Sequence, residues 1–371
     1  MTYYKTGELG EFITLKRGYD LPQQNRKNGC VPIFSSSGIS GTHDAAMVKA
    51  PGVITGRYGT IGQVFMANED FWPLNTTLYV EDFHGNNPRF IYYFLKTLEW
   101  EKFTSASAVP GINRNTVHKE VISLPDIETQ DKIASVLKTL DDKIEINQKI
   151  NDNLEQQVQA YFQELFVDNA DPAWTLGTIS DLGTVVGGST PSKSKPEYYT
   201  EDGIAWITPK DLSINKAKFI SHGENDITEL GLKNSSASIM PEGTVLFSSR
   251  APIGYIAIAS GEVTTNQGFK SVVPKPKIGT AYVYCFLKHN LPVVEGMASG
   301  STFKEVSGST MKNVPAVIPD TETLTCFNDF CAPIFAHQRI LEEQNQSLAA
   351  LRDSLLPKLM SGEIDVSAIQ L

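Results

Sequence analysis

FIYYFLK (90–96) returns as YVYCFLK (282–288), 192 residues further on, with Phe-Leu-Lys identical. Downstream of that pair, LPDIET (124–129) returns as IPDTET (318–323) after 194 residues. Upstream, GVITGRYGTIG (52–62) is echoed by GTVLFSSRAPIG (243–254), which keeps Gly, Arg and Ile-Gly in order. Solenoid units recur every 20–50 residues or so, and a period this long marks a duplicated domain. Two similar modules in one chain imply two similar ligands, or two halves of one.

Both copies read as short strands broken by turns. In the first, VPIF (31–34), GVITG (52–56), QVFMA (63–67) and TTLYVED (76–82) are β-rich runs between Gly-, Pro- and Asn-containing turn signals. Pro88 at a first helical position predicts a helix from Pro88 to about Lys102. In the second, ASIM (237–240), GTVLFSS (243–249), YIAIAS (255–260) and FKSVVPK (269–275) supply strands, and TAYVYCFLKHN (280–290) the matching helix. The expected fold class is α+β: two tandem pseudo-symmetric modules joined by two long helices.

The helices follow from a heptad pattern. Ile133, Leu137, Leu140, Ile144, Asn147, Asn151, Leu154, Val158, Tyr161 and Leu165 alternate at spacings of four and three, with no Gly or Pro between Pro125 and Pro172. Roughly 40 helical residues span on the order of 60 Å. Moving 194 residues on gives Phe327, Cys331, Ile334, Gln338, Leu341, Asn345, Leu348, Arg352, Leu355 and Leu359, a weaker stripe in the same register. Asn151 maps onto Asn345, and a polar residue in an apolar seam costs stability while fixing register. The simplest arrangement buries the stripes against each other as an antiparallel coiled coil. Leu140, Ile144, Asn151 and Leu154 would pair there with Leu341, Asn345, Leu348 and Leu355. The alternative packs each helix on its own module. The expected layout is a module over 1–125, a helix over 126–168, a module over 169–319, a helix over 320–361 and a tail over 362–371.

The chain has 371 residues, 41% hydrophobic, and a net charge of −10. The charge is +1 over 1–125, −6 over 126–170, 0 over 171–319 and −5 over 320–371, so the acidity lies in the helices. Near-neutral modules permit a basic face without supplying the footprint that phosphate contacts usually need. The opening MTYYKTGELG lacks an apolar core, and no 18-residue apolar run follows, so a soluble cytoplasmic protein is expected. Cys30, Cys285, Cys326 and Cys331 form no CxxC, consistent with a reducing compartment.

No P-loop, HExxH or paired CxxC is present. His43, His84, His118, His222, His289 and His337 stand singly, and such residues usually serve the core or surface. GRYGTIG (56–62) is not a dinucleotide fingerprint and reads as a tight turn. Asn87-Pro88-Arg89-Phe90 is near the Asn-Pro-Pro-aromatic motif of amino-methyltransferases, but Arg replaces the second Pro. It reads as a turn with Pro at N1. Asp211 and Glu242 lack an evident catalytic partner. No catalytic, metal or cofactor site is expected in this chain. What recurs is a class of polar loop: SSSGIS (35–40), the 56–59 turn, Asn75-Thr76-Thr77 and SASAVPGINRNT (105–116) in the first copy. The second has TPSKSKPEYY (190–199), WITPKDL (206–212), Ser248-Ser249-Arg250, Asn266-Gln267 and ASGSTFKEVSGST (298–310). Such side chains contact phosphates and base edges.

The order in each half is a variable module, the Arg/Ile-Gly turn, the FLK helix, a polar loop, a Pro-Asp/Glu-Thr hinge and a long helix. That order resembles the specificity (S) subunit of type I restriction–modification enzymes over essentially the whole chain. WITPKDL, TNQGF and the final NQSLAALRDSLLPKLMSGEI (345–364) carry the resemblance further. The second hinge, IPDTETL, departs from the family's Gln-containing pattern, and YFQELFVD matches the usual first-helix ending loosely.

The resemblance implies a non-catalytic DNA-reading subunit with two target recognition domains, each reading half of a split site. It also implies helices that dock two modification subunits. S-adenosylmethionine would belong to those methyltransferase partners, and ATP with Mg to restriction subunits. Half-sites on one face of B-DNA lie about 34 Å apart per helical turn, within the reach of the helical spacer. Candidate DNA contacts are Ser36, Arg57, Tyr58, Asn75, Asn113 and Arg114 in the first module. In the second they are Lys193, Lys210, Arg250, Asn266 and Lys304. Arg57 and Arg250 occupy matching turns, where each could instead form an internal salt bridge. Asn75 and Asn266 match too, with a turn cap as the competing role. Trp206 reads as core. Two other readings are a coiled-coil interaction scaffold that reads no DNA, and a single-chain enzyme.

Overall fold

The computed structural model describes residues 4–104, 110–300 and 304–369. Parts of the loops 105–116 and 298–310, and the last two tail residues, therefore lie outside the described residues. Four helices frame the modules: α1 (Pro88–Lys96), α2 (Ile127–Gln163), α3 (Thr280–His289) and α4 (Thr321–Ser361). The chain divides into two compact units, Met1–Ile144 with Gln346–Leu371, and Glu145–Asn345. Each unit contains one β-rich module and the adjoining stretches of both long helices.

In the first unit, Tyr4–Glu8 pairs antiparallel with Val121–Pro125, a pairing the strand patterning did not anticipate. A four-stranded sheet runs in the order Thr14–Arg17, Thr77–Asp82, Gly52–Gly56, Val64–Ala67. A three-stranded sheet orders Gly38–His43, Val31–Ser35 and Trp72–Pro73. Gly52–Gly56, central between two antiparallel neighbours, is buried throughout, including the polar Thr55. Asn87 caps α1, its side chain accepting from the Arg89 and Phe90 amides, with Pro88 at N1. The helix stops at Lys96, short of the expected Lys102. Thr97 Oγ1 donates to the Phe94 carbonyl (2.7 Å), and the Trp100 indole folds back onto the Leu95 carbonyl (2.8 Å). Both bonds satisfy end carbonyls that further helix would otherwise occupy.

The second unit repeats the plan. Thr175–Thr178 pairs with Pro315–Ile318, and a five-stranded sheet orders Gly183–Gly187, Lys270–Pro274, Val245–Ser249, Ile253–Ala259 and Phe219–Ile220. The ASIM segment makes no strand. Met240 forms one bridge to Val263, and Pro241 cannot donate to extend it.

Each core draws on both long helices. Phe90, Tyr93 and Leu95 of α1 share a cluster with Ile133 and Leu137 of α2 and with Leu356 and Leu359 of α4. In the second unit, Tyr282, Cys285 and Phe286 of α3 meet Val158 and Phe162 of α2 and Leu324, Phe327 and Cys331 of α4. All the stripe positions are buried or half-buried. The helix ends thus belong to the modules' cores as well as facing one another. Within the second unit, Asn147 Nδ2 donates to Asn345 Oδ1 (2.9 Å), and Gln338 Nε2 to the Asn151 carbonyl (3.1 Å), so these stretches run in opposite directions. Asn151 therefore meets Gln338, not its repeat counterpart Asn345.

Candidate nucleic-acid interface

Backbone bonds gather the first module's polar loops into one cluster. The Arg57 and Tyr58 amides donate to the Thr76 carbonyl (2.9 and 3.2 Å), and the Ile112 amide donates to the Arg57 carbonyl (3.0 Å). Gly111 packs so tightly on Tyr58 that a Cβ there would lie 2.1 Å from the ring. Ser36 Oγ lies close to Gly59 across the same turn. Arg57, Tyr58, Ser36, Asn113 and Arg114, widely separated in sequence, are thereby brought near one another.

The second module uses the same wiring. The Ser249 amide donates to the Gly268 carbonyl (2.7 Å), and the Val306 amide to the Ser249 carbonyl (3.0 Å). The duplicated plan therefore extends to the bonds that hold the polar loops.

The side chains diverge where the backbone does not. The Arg57 guanidinium stacks over Tyr58 (4.4 Å to the ring centre) and has no carboxylate within ion-pair distance among the described residues. Arg250 instead meets Glu305 (3.4 Å), which also faces Lys270 (3.7 Å). Burial lowers the pKa of Lys270, and Glu305 partly restores it. Asn75 donates across to Asp20, tying two distant segments, and Asn266 Oδ1 accepts the Gly268 amide (2.8 Å), so Asn266 alone caps its own turn. Asn113 caps the short helix Arg114–His118, leaving Arg114 exposed at its start. Lys304 is exposed beside Glu305.

Lys193, Lys210 and Asn266 fall together for a different reason. They line a cavity of about 390 Å³ in the second unit, with Trp206 and Gln267. Trp206 is 6% exposed, its indole donating to the Ser189 carbonyl (3.0 Å). Lys210 pairs with Glu224 (2.6 Å), a fully solvated contact that raises its pKa. Gln267 was not among the expected contacts. Its sequence signal is its place in the polar Asn266-Gln267 loop, one of those with side chains that can contact base edges.

Among the described residues, no group of three or more His, Cys, Asp or Glu side chains could hold a metal ion. His118 accepts the Leu15 amide (2.9 Å), and burial lowers its pKa, so it serves the fold. Asp211 is taken up by the Thr208 amide and hydroxyl and the Glu224 amide. No described helix is long and apolar enough to cross a membrane.

Comparison with known proteins agrees with this architecture. Residues 1–156 and 173–344 match the model of the type I restriction modification DNA specificity domain. The chain is 40% identical over 191 residues to the type I restriction enzyme MjaIX specificity subunit of Methanocaldococcus jannaschii, covering 49% of this chain and 44% of that protein. It is 26% identical over 359 residues to the HindI specificity subunit of Haemophilus influenzae, covering 75% and 77%. The chain thus spans under half the length of the first relative and about three quarters of the second. The crystal structure of an S subunit from M. genitalium aligns with a TM-score of 0.60 at 17% identity over 97% of this chain and 96% of that one, a likeness of fold. With both repeats matched, the chain belongs to the type I restriction modification DNA specificity family.

Proposed function

We propose that this chain is the DNA-reading subunit of a type I restriction–modification enzyme and that each module reads one half of a bipartite site. The observation that carries this reading is the duplicated loop wiring. Matched backbone bonds present different side chains at matching places, as two readers of different sequences require. On this reading α2 and α4 form an antiparallel coiled coil that spaces the modules and docks two modification subunits. Restriction subunits would join through them. S-adenosylmethionine would be bound by the modification subunit, and ATP with Mg by the restriction subunit. The acidic helices suit partners with a basic face, which would also supply the positive field that near-neutral modules lack.

The test is to map methylated adenines genome-wide with and without the gene. A two-part motif lost on deletion is the expected result. An unchanged methylation pattern in a strain that expresses the modification subunit overturns the reading.

A further inference from the structure

The two modules hold their polar loops with matching backbone bonds, and the expectation from the repeat is that matching residues read DNA. The side chains argue otherwise in the second unit. Arg250 and Lys270 both face Glu305 and share its single carboxylate (3.4 and 3.7 Å). Arg57, at the equivalent turn, has no such counter-ion among the described residues.

The cleft beside that turn supplies what the turn lacks. Several of its polar groups are already spent on the fold: Asp211 on Thr208, Asn266 on Gly268, Lys210 on Glu224. Two are not. Lys193 is exposed and has no ion pair or hydrogen bond among the described residues. Gln267 is exposed, and its Oε1 accepts from Thr190 while Nε2 has no described partner. A cationic point charge suits a phosphate, and a carboxamide offers the paired donor and acceptor that an adenine edge presents in the major groove.

Resting on the proposed DNA-reading role, we infer that the second module reads its half-site through this cleft, with Lys193 holding a backbone phosphate and Gln267 reading a base edge. Arg250 serves the fold through Glu305. The two modules thus read with residues that do not correspond in the repeat, the first at the Arg57–Tyr58 turn and the second beside Trp206.

The experiment expresses the full chain with its modification subunit and compares parent, Q267A, K193A and R250A by methylation mapping and by DNA binding at several salt concentrations. Q267A is expected to relax one position in one half of the motif, losing roughly 5- to 150-fold discrimination there, with the other half unchanged. K193A is expected to keep the motif and lower the salt slope by about 1. R250A is expected to leave both halves as they are. Lys193 and Gln267 are exposed, so their removal spares the core. If the parent imprints no two-part motif, the functional reading itself fails and this assignment with it. If the parent motif is intact and Q267A and K193A match the parent, or R250A respecifies one half, only the cleft assignment is overturned.

Discussion

Arg57 and Arg250 sit at matching turns and meet different surroundings, one stacked on Tyr58 and the other facing Glu305. A guanidinium beside an aromatic ring, with no counter-ion among the described residues, is available for a phosphate or a guanine edge. Replacing Arg57 with Ala is expected to cost about 1–3 kcal/mol of DNA binding, with Lys recovering only part because it lacks the bidentate fork. Titrating both variants against a cognate duplex checks this, and equal affinity for parent and R57A refutes it.

A second residue-scale feature is the ionic knot under the second module. Lys218 is 7% exposed, bonds Gln338 Oε1 (2.6 Å) and pairs with Glu155, which also takes Lys288 (2.6 Å). Burial alone would raise the Glu155 pKa, but Lys218 and Lys288 together pull it down to about 2. Burial pushes Lys218 downward while Glu155 opposes the shift. A carboxyl depressed in the folded state stabilises above its ordinary pKa near 4.5 and loses that contribution as pH falls towards about 2. Acid unfolding of the parent should therefore carry a component between those values that is absent in E155Q. E155Q also leaves Lys218 without its carboxylate partner, at about 3–5 kcal/mol near neutrality. Chemical denaturation across pH measures both effects. An identical acid limb in parent and variant counts against the knot.

At the scale of elements, the long helices serve two surfaces at once. Their heptad positions are buried or half-buried, and their ends also enter the cores of both units. Asn147 Oδ1 and Asn151 Oδ1 are buried without a hydrogen-bond partner among the described residues, a cost consistent with polar residues that set register. Placing Asp at Leu140 or Leu154 should cost roughly 1–3 kcal/mol, because the seam loses apolar packing and a half-buried position only partly solvates a carboxylate. Loss of modification-subunit binding is expected before the β signal of the modules melts. Size-exclusion chromatography of the mixture, alongside circular dichroism, checks this. Retained complex with either variant counts against a docking role for the helices.

At the scale of the whole molecule, the functional proposal is modular. Exchanging residues 1–125 for the corresponding module of a relative should change one half of the methylated motif and leave the other untouched. A change in both halves would remove the modular account. The charge pattern belongs at this scale too, since the acidity lies in 126–170 and 320–371 while the modules are close to neutral.

Much of this was readable from the chain. The repeat follows from its recurring motifs, the strands Gly52–Gly56 and Val245–Ser249 from short β-rich runs bounded by turn residues, and both long helices from an apolar spacing of about 3.5. The early end of α1 did not, because it depends on Trp100 folding back onto Leu95, a contact no local pattern encodes. Nor did the pairing of Tyr4–Glu8 with Val121–Pro125, whose partners lie more than a hundred residues apart. Sequence alone determined that the chain is a duplication of β-rich module and long helix, since local spacing and repeated motifs carry that information. Only the tertiary structure decided which polar residues are spent and which remain available. Glu305 opposite Arg250, and Gln267 beside Lys193, are long-range juxtapositions set by backbone hydrogen bonds between loops, and such bonds leave no period in the sequence.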